Sequence, residues 1–431
     1  MKKVLGGHSS YPDTYRKTIL PNGVRVVSEV NDHIQSVSLG IWVRAGSRYE
    51  PRHLNGICHF IEHMLFKGTP TRDALSIAKE IDSVGGILNA FTSKEFTAFY
   101  AKVLKEDLEL AVDLLADIFL NSIFPEEEII REKQVICQEI HQLEDNPEEL
   151  VHEIWGMNFW RAHALGQPIL GTIPNIVAID RDTLLSYKSE NYLPSEIIVA
   201  AVGNLDHDRV IDLITERMGD LPSKKGGIFT DEPIGGSCVY VEPKDLEQVH
   251  VCLGTNAPSA VASNRYAAYI LNTLLGGGMS SRLFQEIREK RGLAYNVYSF
   301  LSSLSDSGML GIYAGCDPER LEELVHTIGR VTMGIADTLT QEEMDMAKNQ
   351  IKGNLILNLE SSDAQMNRLA KEEYYFGRHI TLGEILDSLH KVSLPELCHE
   401  CEALLNNGEF TIVALGPVEA DLNLQTLFLD N

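Results

Sequence analysis

The sequence predicts an α+β fold of two homologous domains, each a largely antiparallel sheet packed with helices. Three observations lead to this prediction. The chain has 431 residues, which is more than one hydrophobic core usually serves. The order of strand-like and helical segments in the first half recurs in the second half. Within each half, strands joined by local hairpins are mixed with long helices, which favours antiparallel pairing with helices packed against one face of the sheet.

The repeat can be followed segment by segment. The strand-like HIQSVSLGIWVRAGS precedes the helix HFIEHMLFKG in the first half, and LEQVHVCLGTNAPSA precedes YAAYILNTLLGG in the second. GGILNAFTSKEFTAFYAKV then corresponds to RGLAYNVYSFLSSLSDSGMLGIYAG, and the helix PEEEIIREKQVICQEIHQLED to TQEEMDMAKNQIKGNLILNLE. Between the halves, residues 221–237 are rich in Gly, Pro and Ser, which is typical of a linker. We therefore expect an N-terminal domain over residues 1–220 and a C-terminal domain over residues 238–431.

Composition and charge narrow the class of protein. A hydrophobic content of 44% with 23% charged residues is ordinary for a soluble globular chain. A formal charge of -25 argues against nucleic acid as a partner, since phosphate binding needs a basic surface, and would instead favour cationic peptides. The apolar stretches carry too many acidic residues to span a bilayer. Seven scattered cysteines, an odd number, fit reduced thiols in a reducing compartment. We expect a cytoplasmic protein that binds neither nucleic acid nor membrane.

The segment HFIEH lies at residues 59–63, inside an otherwise apolar helix. Because a helix advances about 100° per residue, His59, Glu62 and His63 share one face. A solvated polar stripe is the simple structural explanation. Two imidazoles at positions i and i+4 with a carboxylate between them also suit a metal site.

The second half supplies an internal control for this motif. The repeat keeps the helix but replaces all three polar residues, by Ala268, Leu271 and Asn272. A triplet that was needed for folding would not be missing from the homologous helix. The control therefore favours a functional role for the triplet.

A third metal ligand is expected on the long helix that begins at Pro125. A hydrolytic zinc site uses three protein ligands and leaves a fourth position for water. Carboxylates in the first helical turn, after a proline at the first helical position, are explained by the helix dipole. Glu132 and Glu139 lie further along, seven residues apart and hence on one face. The helix dipole does not explain Glu132 and Glu139, and both remain candidates for the third metal ligand.

This set of residues resembles the inverted-motif (HxxEH) zinc peptidases of the pitrilysin or insulinase family, in particular the mitochondrial processing peptidase-like branch. The resemblance covers nearly the whole chain, including the two halves. It implies that His59, His63 and Glu139 hold zinc, with one ion per chain because the second half has Asn354 opposite Glu139. It also implies that Glu62 is the general base and that Glu132 supports the site as an additional catalytic or ligand-positioning carboxylate.

The second half matches the family at two further positions. Arg288 and Tyr295 correspond to an Arg and Tyr pair that family members bring to the active site, where they contact the substrate carbonyl. We expect Arg288 in the last turn of a helix that breaks at Gly292, and Tyr295 on the strand that follows. A cation that caps the helix C-terminus is the alternative explanation for Arg288.

The resemblance also implies where substrate binds. Asn89, Ala90, Phe91 and Thr92 would lie on an edge strand to which an extended peptide adds as a further strand. The alternative is an ordinary strand of the sheet, which periodicity does not distinguish.

The leading interpretation is a zinc endopeptidase that hydrolyses unfolded peptides or short polypeptides, including basic ones. The alternative is a non-catalytic assembly subunit that resembles the core proteins of the respiratory cytochrome complex. Because one chain carries both the zinc motif and the Arg and Tyr pair, a bacterial homodimer is favoured over an obligate heterodimer.

Overall fold

The structure is a computed structural model that describes residues 14–161, 163–224, 233–406, 409–419 and 422–429. The middle of the predicted linker, residues 225–232, lies outside these ranges. None of the helices in the described ranges is both long and apolar enough to cross a membrane.

The first half contains six strands and eight α-helices among the described residues. The strands are β1 (Tyr15–Ile19), β2 (Arg25–Val30), β3 (Ser36–Val43), β4 (Ile87–Thr92), β5 (Thr97–Leu104) and β6 (Ile197–Gly203). The helices are α1 (Ile57–Leu65), α2 (Ala74–Ser83), α3 (Leu108–Asn121), α4 (Glu126–Asp145), α5 (Pro147–Phe159), α6 (Ile173–Ala178), α7 (Arg181–Asn191) and α8 (His207–Met218).

The second half repeats this plan with five strands and eight α-helices among the described residues. The strands are β7 (Cys238–Pro243), β8 (Val249–Asn256), β9 (Ala294–Ser303), β10 (Gly308–Cys316) and β11 (Thr411–Gly416). The helices are α9 (Arg265–Gly276), α10 (Leu321–Met333), α11 (Ile335–Thr338), α12 (Gln341–Asn358), α13 (Ser362–Phe376), α14 (Leu382–Lys391), α15 (Leu394–Leu405) and α16 (Leu424–Leu429).

The two sheets have the same topology. The first sheet has the strand order β1-β2-β6-β3-β5-β4, and the second has β7-β11-β8-β10-β9. Apart from β1, each strand of the first sheet has a counterpart at the same place in the second. One pair in each sheet is parallel, β2 with β6 and β7 with β11, and the other pairs are antiparallel. The predicted fold class of two homologous α+β units with largely antiparallel sheets is confirmed.

The prediction that helices pack against one face of each sheet is wrong, because both faces are covered. In the first sheet, Ile41 of β3 packs with α1, α3 and α4, while its neighbour Trp42 points to the opposite face and packs with α13. The central strand β6 is buried along its whole length, as a sheet with two covered faces requires. Its continuous apolar run, IIVAAVG, is the sequence signature of this arrangement.

The helices on the outer faces are exchanged between the halves. Helix α13 of the second half packs on β2, β3 and β6 of the first sheet through Met366, Leu369 and Ala370. Helix α5 of the first half packs on β8 and β11 of the second sheet through Trp155 and Phe159, among others. The two helices hold equivalent positions in the repeat, since α5 follows α4 and α13 follows α12. Each sheet is therefore completed by a helix from the other half.

Candidate metal centre and active site

A buried carboxylate holds the start of α1, the helix that carries HFIEH. One oxygen of Glu50 accepts hydrogen bonds from the Gly56 amide and the Asn55 side chain, and the other accepts from the Cys58 amide, all at 2.8 Å. Gly56 precedes the helix at φ 97°, a conformation that favours glycine, and a Cβ there would lie 2.8 Å from Gly171 Cα. These contacts fix both the position and the direction of α1.

Two helices bring the three predicted ligands together. His59 and His63 lie one turn apart on α1, and Glu139 lies on α4, which packs against α1. The Nε2 atoms of the two histidines are 3.2 Å apart. Each Nε2 atom is 3.6 Å from the same Glu139 oxygen. In the described part of the chain, this is the one group of three or more His, Cys, Asp or Glu side chains arranged to hold a metal ion.

The size and chemistry of this triangle fit zinc. A point equidistant from three atoms with separations of 3.2, 3.6 and 3.6 Å lies about 2.0 Å from each, which is the length of a zinc bond to nitrogen or oxygen. Two imidazoles and one carboxylate are a ligand set of catalytic zinc sites, which leave one position open for water. The residues present therefore fit the metal.

Glu132 lies behind His63 and away from the metal side of the ring. Its carboxylate is 2.8 Å from His63 Nδ1, the nitrogen opposite the one that faces Glu139, and 2.7 Å from Lys67 Nζ. Burial alone would lower the pKa of His63, but the hydrogen bond to Glu132 and the nearby carboxylate charges outweigh burial and raise it. Conversely, burial would raise the pKa of Glu132, and its bonds to His63 and Lys67 lower it. Glu132 thus orients the His63 ring and increases its basicity.

His59 is held as a neutral imidazole. Burial, and to a lesser extent the neighbouring His63, lowers the pKa of His59 to about 3. Its ring is packed 4.6 Å from the His63 ring, centroid to centroid. A neutral ring at pH 7 keeps the lone pair that metal binding requires.

Glu62 contacts the strand predicted to bind substrate. Its carboxylate accepts a hydrogen bond of 2.5 Å from the hydroxyl of Thr92, at the end of β4. Burial raises the pKa of Glu62, against the lowering effect of the Thr92 hydrogen bond. A partly desolvated carboxylate beside the metal position is a stronger base than an exposed one.

Among the described residues, strand β4 is the last strand of the first sheet and pairs with β5 alone. It carries Asn89, Ala90, Phe91 and Thr92, as predicted, and one side of its backbone has no described strand beside it. The amide of Ala90 donates to the side-chain oxygen of Asn89 at 2.8 Å. An added peptide strand that uses this amide would displace that side chain.

Arg288 and Tyr295 lie together in the second half. Arg288 is in the π-helical turn Phe284–Glu289, which ends before Gly292 at φ +59°, and Tyr295 is on β9. The Arg288 guanidinium lies 4.3 Å from the centre of the Tyr295 ring, and 77% of Tyr295 is exposed. Among the described residues, no direct contact joins this pair to His59, His63 or Glu139. The predicted local structure is found, and the role of the pair remains a proposal.

Comparison with known proteins gives the family. Residues 25–173 match the family model described as Insulinase (Peptidase family M16), and residues 178–351 match the model described as Peptidase M16 inactive domain. The chain is 42% identical to the uncharacterized zinc protease YmxG of Bacillus subtilis, over 87% of this chain and 92% of that protein. The chain belongs to the insulinase family of zinc peptidases.

Solved structures agree with this assignment. A protease from Helicobacter pylori is 25% identical, with a TM-score of 0.86 over 94% of this chain and 99% of that one. A chain of Complex III2 from Candida albicans is 19% identical, with a TM-score of 0.84 over 96% of this chain and 99% of that one. At that identity the second likeness shows the fold alone.

The insulinase-family model of the second half is named for an inactive domain, and the side chains there agree with the name. The predicted counterparts of the metal ligands are Ala268, Asn272 and Asn354, and none of these is a His, Cys, Asp or Glu. Within the described ranges, the second half has no cluster that could hold a metal. Its helix α12 has 18 residues, close to the 20 of α4, and lacks the ligands.

Sequence reasoning missed a buried ionic junction between the halves of this insulinase-family chain. Arg48 bonds to Glu95 at 2.6 Å and to Asp306 at 2.7 Å, and Ser305 donates to Glu95 at 2.6 Å. The hydroxyl of Tyr375, on α13, also donates to Glu95. Glu95 lies in the turn between β4 and β5, and Asp306 in the equivalent turn between β9 and β10. The junction therefore ties together the two hairpins that carry β4 and Tyr295. Single residues in loops gave no periodic signal by which to find it.

Proposed function

We propose that this chain is a zinc-dependent endopeptidase that hydrolyses extended peptides at the site formed by α1, α4 and β4. One observation carries the proposal. The metal triangle of His59, His63 and Glu139 lies beside Glu62, and Glu62 is hydrogen-bonded to the edge strand through Thr92. A metal position, a base and a free strand edge thus adjoin one another, which is the arrangement that peptide hydrolysis needs.

Metal binding, ring positioning and proton transfer would fall to different side chains. When bound, zinc supplies a Lewis acid that polarises a water molecule and the peptide carbonyl. His59, His63 and Glu139 would hold the ion, and Glu132 keeps the His63 ring in position. Glu62 is not required as a ligand and would accept the proton of the attacking water, then return it to the leaving amine.

The free edge of β4 would bind the substrate backbone. A peptide that adds to this edge forms main-chain hydrogen bonds whatever its side chains, so the site accepts varied sequences. Because Thr92 ends β4 and contacts Glu62, the bound peptide would run directly past the base.

Arg288 and Tyr295 would complete the site from the second half. Their stacked side chains present a cation from the π-helical turn and the exposed phenol of Tyr295 on β9. The junction of Arg48, Glu95 and Asp306 holds the turns of the two hairpins together, so that β4 and β9 extend from a common point. Closure over a substrate would bring the pair to its carbonyl oxygen, where it stabilises developing negative charge.

Peptide-library cleavage read by mass spectrometry tests the proposal. The zinc-loaded chain is expected to cleave internal bonds, and chelation is expected to abolish cleavage. Glu62→Gln should retain zinc and lose turnover by about 10²–10⁴-fold. The matched control is Glu106→Gln, because Glu106 is exposed and forms no hydrogen bond or ion pair with any described residue.

Two results would contradict the proposal. Unchanged hydrolysis by Glu62→Gln would remove Glu62 as the base. A purified chain that binds no zinc and cleaves no peptide after zinc is supplied would favour the non-catalytic assembly subunit, whose fold is shared by the Complex III2 chain.

We further propose a cytoplasmic homodimer that prefers basic peptides. The chain holds every element of the proposed site, so a different subunit is not needed to complete it. Its formal charge of -25 would attract cationic substrates, and this attraction is screened by salt. Cleavage of basic peptides should therefore slow with added salt more than cleavage of matched acidic ones. Equal rates across the salt series would refute the preference, and a monomer mass in solution would refute the dimer.

A further inference from the structure

A cavity of about 640 Å³ lies in the second half, away from the metal triplet. It is open to solvent on one side, and its lining residues come chiefly from α9, β9, α12, α13 and α14. A cavity of this size is in the range that holds small organic ligands, which is about 300–1,000 Å³.

The cavity wall is apolar and aromatic. The aliphatic side chains are Leu301, Ile351, Leu355, Ile380, Ile385 and Leu389, and the aromatic ones, on α9 and α13, are Tyr266, Tyr269, Tyr375 and Phe376. A wall of this kind favours an apolar body, and the aromatic rings favour a flat one.

The charges in the wall are unbalanced. Arg265, Arg368 and Lys371 are cations, and Glu372 is the one carboxylate that lines the cavity. Arg368 is paired with Glu372 at 2.7 Å. Lys371 forms no ion pair or hydrogen bond with any residue in the described ranges. The lining thus carries an excess of two positive charges in a chain whose net charge is -25.

Arg265 is held in place, and no carboxylate of the described residues pairs with it. Its guanidinium lies 4.4 Å from the centre of the Tyr266 ring and 5.2 Å from that of Phe376, and it donates to the carbonyl of Ala262 at 2.8 Å. The aromatic rings orient this cation but do not neutralise it. On the same wall, the buried Oδ1 atom of Asn367 has no hydrogen-bond donor among the described residues.

We propose that this cavity binds a small amphipathic carboxylate, with the apolar body among the aliphatic and aromatic side chains and the carboxylate on Lys371 and Arg265. A neutral apolar ligand would leave the two cations unpaired. A bare anion would leave the apolar wall in water. A molecule with both an apolar body and a carboxylate would contact the apolar wall and pair with the two cations.

Titration calorimetry on the full chain tests the site, with zinc removed so that the metal centre binds no carboxylate. 4-Phenylbutyrate and decanoate are the probes, and one or both are expected to bind with Kd below about 1 mM. Acetate, which lacks the apolar body, and 4-phenylbutyramide, which lacks the charge, should bind at least about tenfold more weakly. Binding should be the same in the Glu62→Gln variant, so the result is independent of peptidase activity.

Two lysine variants locate the binding. Lys371→Gln should weaken carboxylate binding about tenfold, because it removes one charge-assisted hydrogen bond. Lys352→Gln, at an exposed lysine on α12 outside the cavity lining, should bind like the unmodified chain. The proposal is overturned if neither probe binds, if the amide binds as tightly as the acid, or if Lys371→Gln binds unchanged.

Discussion

Glu50→Gln should destabilise the protein by removing the carboxylate that holds the start of the metal-binding helix. Glu50 is 4% exposed and accepts three hydrogen bonds of 2.8 Å. Glutamine has one acceptor oxygen, and its NH₂ group would face the amide of Gly56 or of Cys58. At least one charge-assisted bond, worth about 1.5–3 kcal/mol, is lost, and two donors are brought together. Relief of the buried charge offsets part of this loss, which leaves about 2 kcal/mol.

Urea unfolding followed by circular dichroism measures this loss. The control variant Glu106→Gln removes a charge from an exposed glutamate without described partners, and its free energy of unfolding should change by less than about 0.5 kcal/mol. A loss below about 1 kcal/mol for Glu50→Gln would refute the reasoning, since it would mean that α1 starts without the carboxylate.

Three further predictions follow from the contacts. Glu132→Gln should weaken zinc binding about 10–100-fold, measured by competition with a chelator, because it replaces the carboxylate that holds His63 Nδ1. Equal zinc affinity would contradict a role for Glu132 in orienting His63. Trp155→Ala should lower the free energy of unfolding by about 3–5 kcal/mol, because Trp155 is only 1% exposed and packs between α5 and the second sheet. A loss below about 1 kcal/mol would show that α5 is not essential to the second sheet. Burial lowers the pKa of Lys188 to about 8, whereas an unfolded lysine titrates near about 10.4. Between these values the unfolded chain binds more protons than the folded one, so the free energy of unfolding should rise with pH by up to about 3 kcal/mol. The variant Lys188→Met should lack this rise. If the unmodified chain and the variant gave parallel plots of unfolding free energy against pH, Lys188 would not be the cause.

Most of the candidate metal site could be predicted from the sequence, because its main signal is local and is absent from the second copy of the repeat. His59, Glu62 and His63 share a helix face at a fixed spacing, and their replacement in the second half separated function from folding. Glu139 was more ambiguous, because helical spacing left Glu132 as an equal candidate. The structure separates their positions, with Glu139 facing Nε2 of both histidines and Glu132 on the far side of His63.

Long-range features did not follow from periodicity. The amphipathic pattern of α13 shows that it packs against something, but not that the surface belongs to the other half of the chain. For the same reason, a hairpin turn that contains Glu95 is typical of an exposed loop, and its burial against Arg48 arises only when the halves are assembled. The prediction of one covered sheet face failed because sequence neighbours were assumed to be spatial neighbours.

The exchange of α5 and α13 has a bearing on how such a chain could have arisen. A half-length protein with this sheet would expose the apolar outer face to water unless a helix from a second copy covered it. Each copy would then cover the sheet of the other. Two identical chains joined in this way would already have the architecture of the present molecule, so that an end-to-end fusion would keep the exchanged helices in place. Once fused, one copy could drop its ligands while still serving as the cover that the other copy needs.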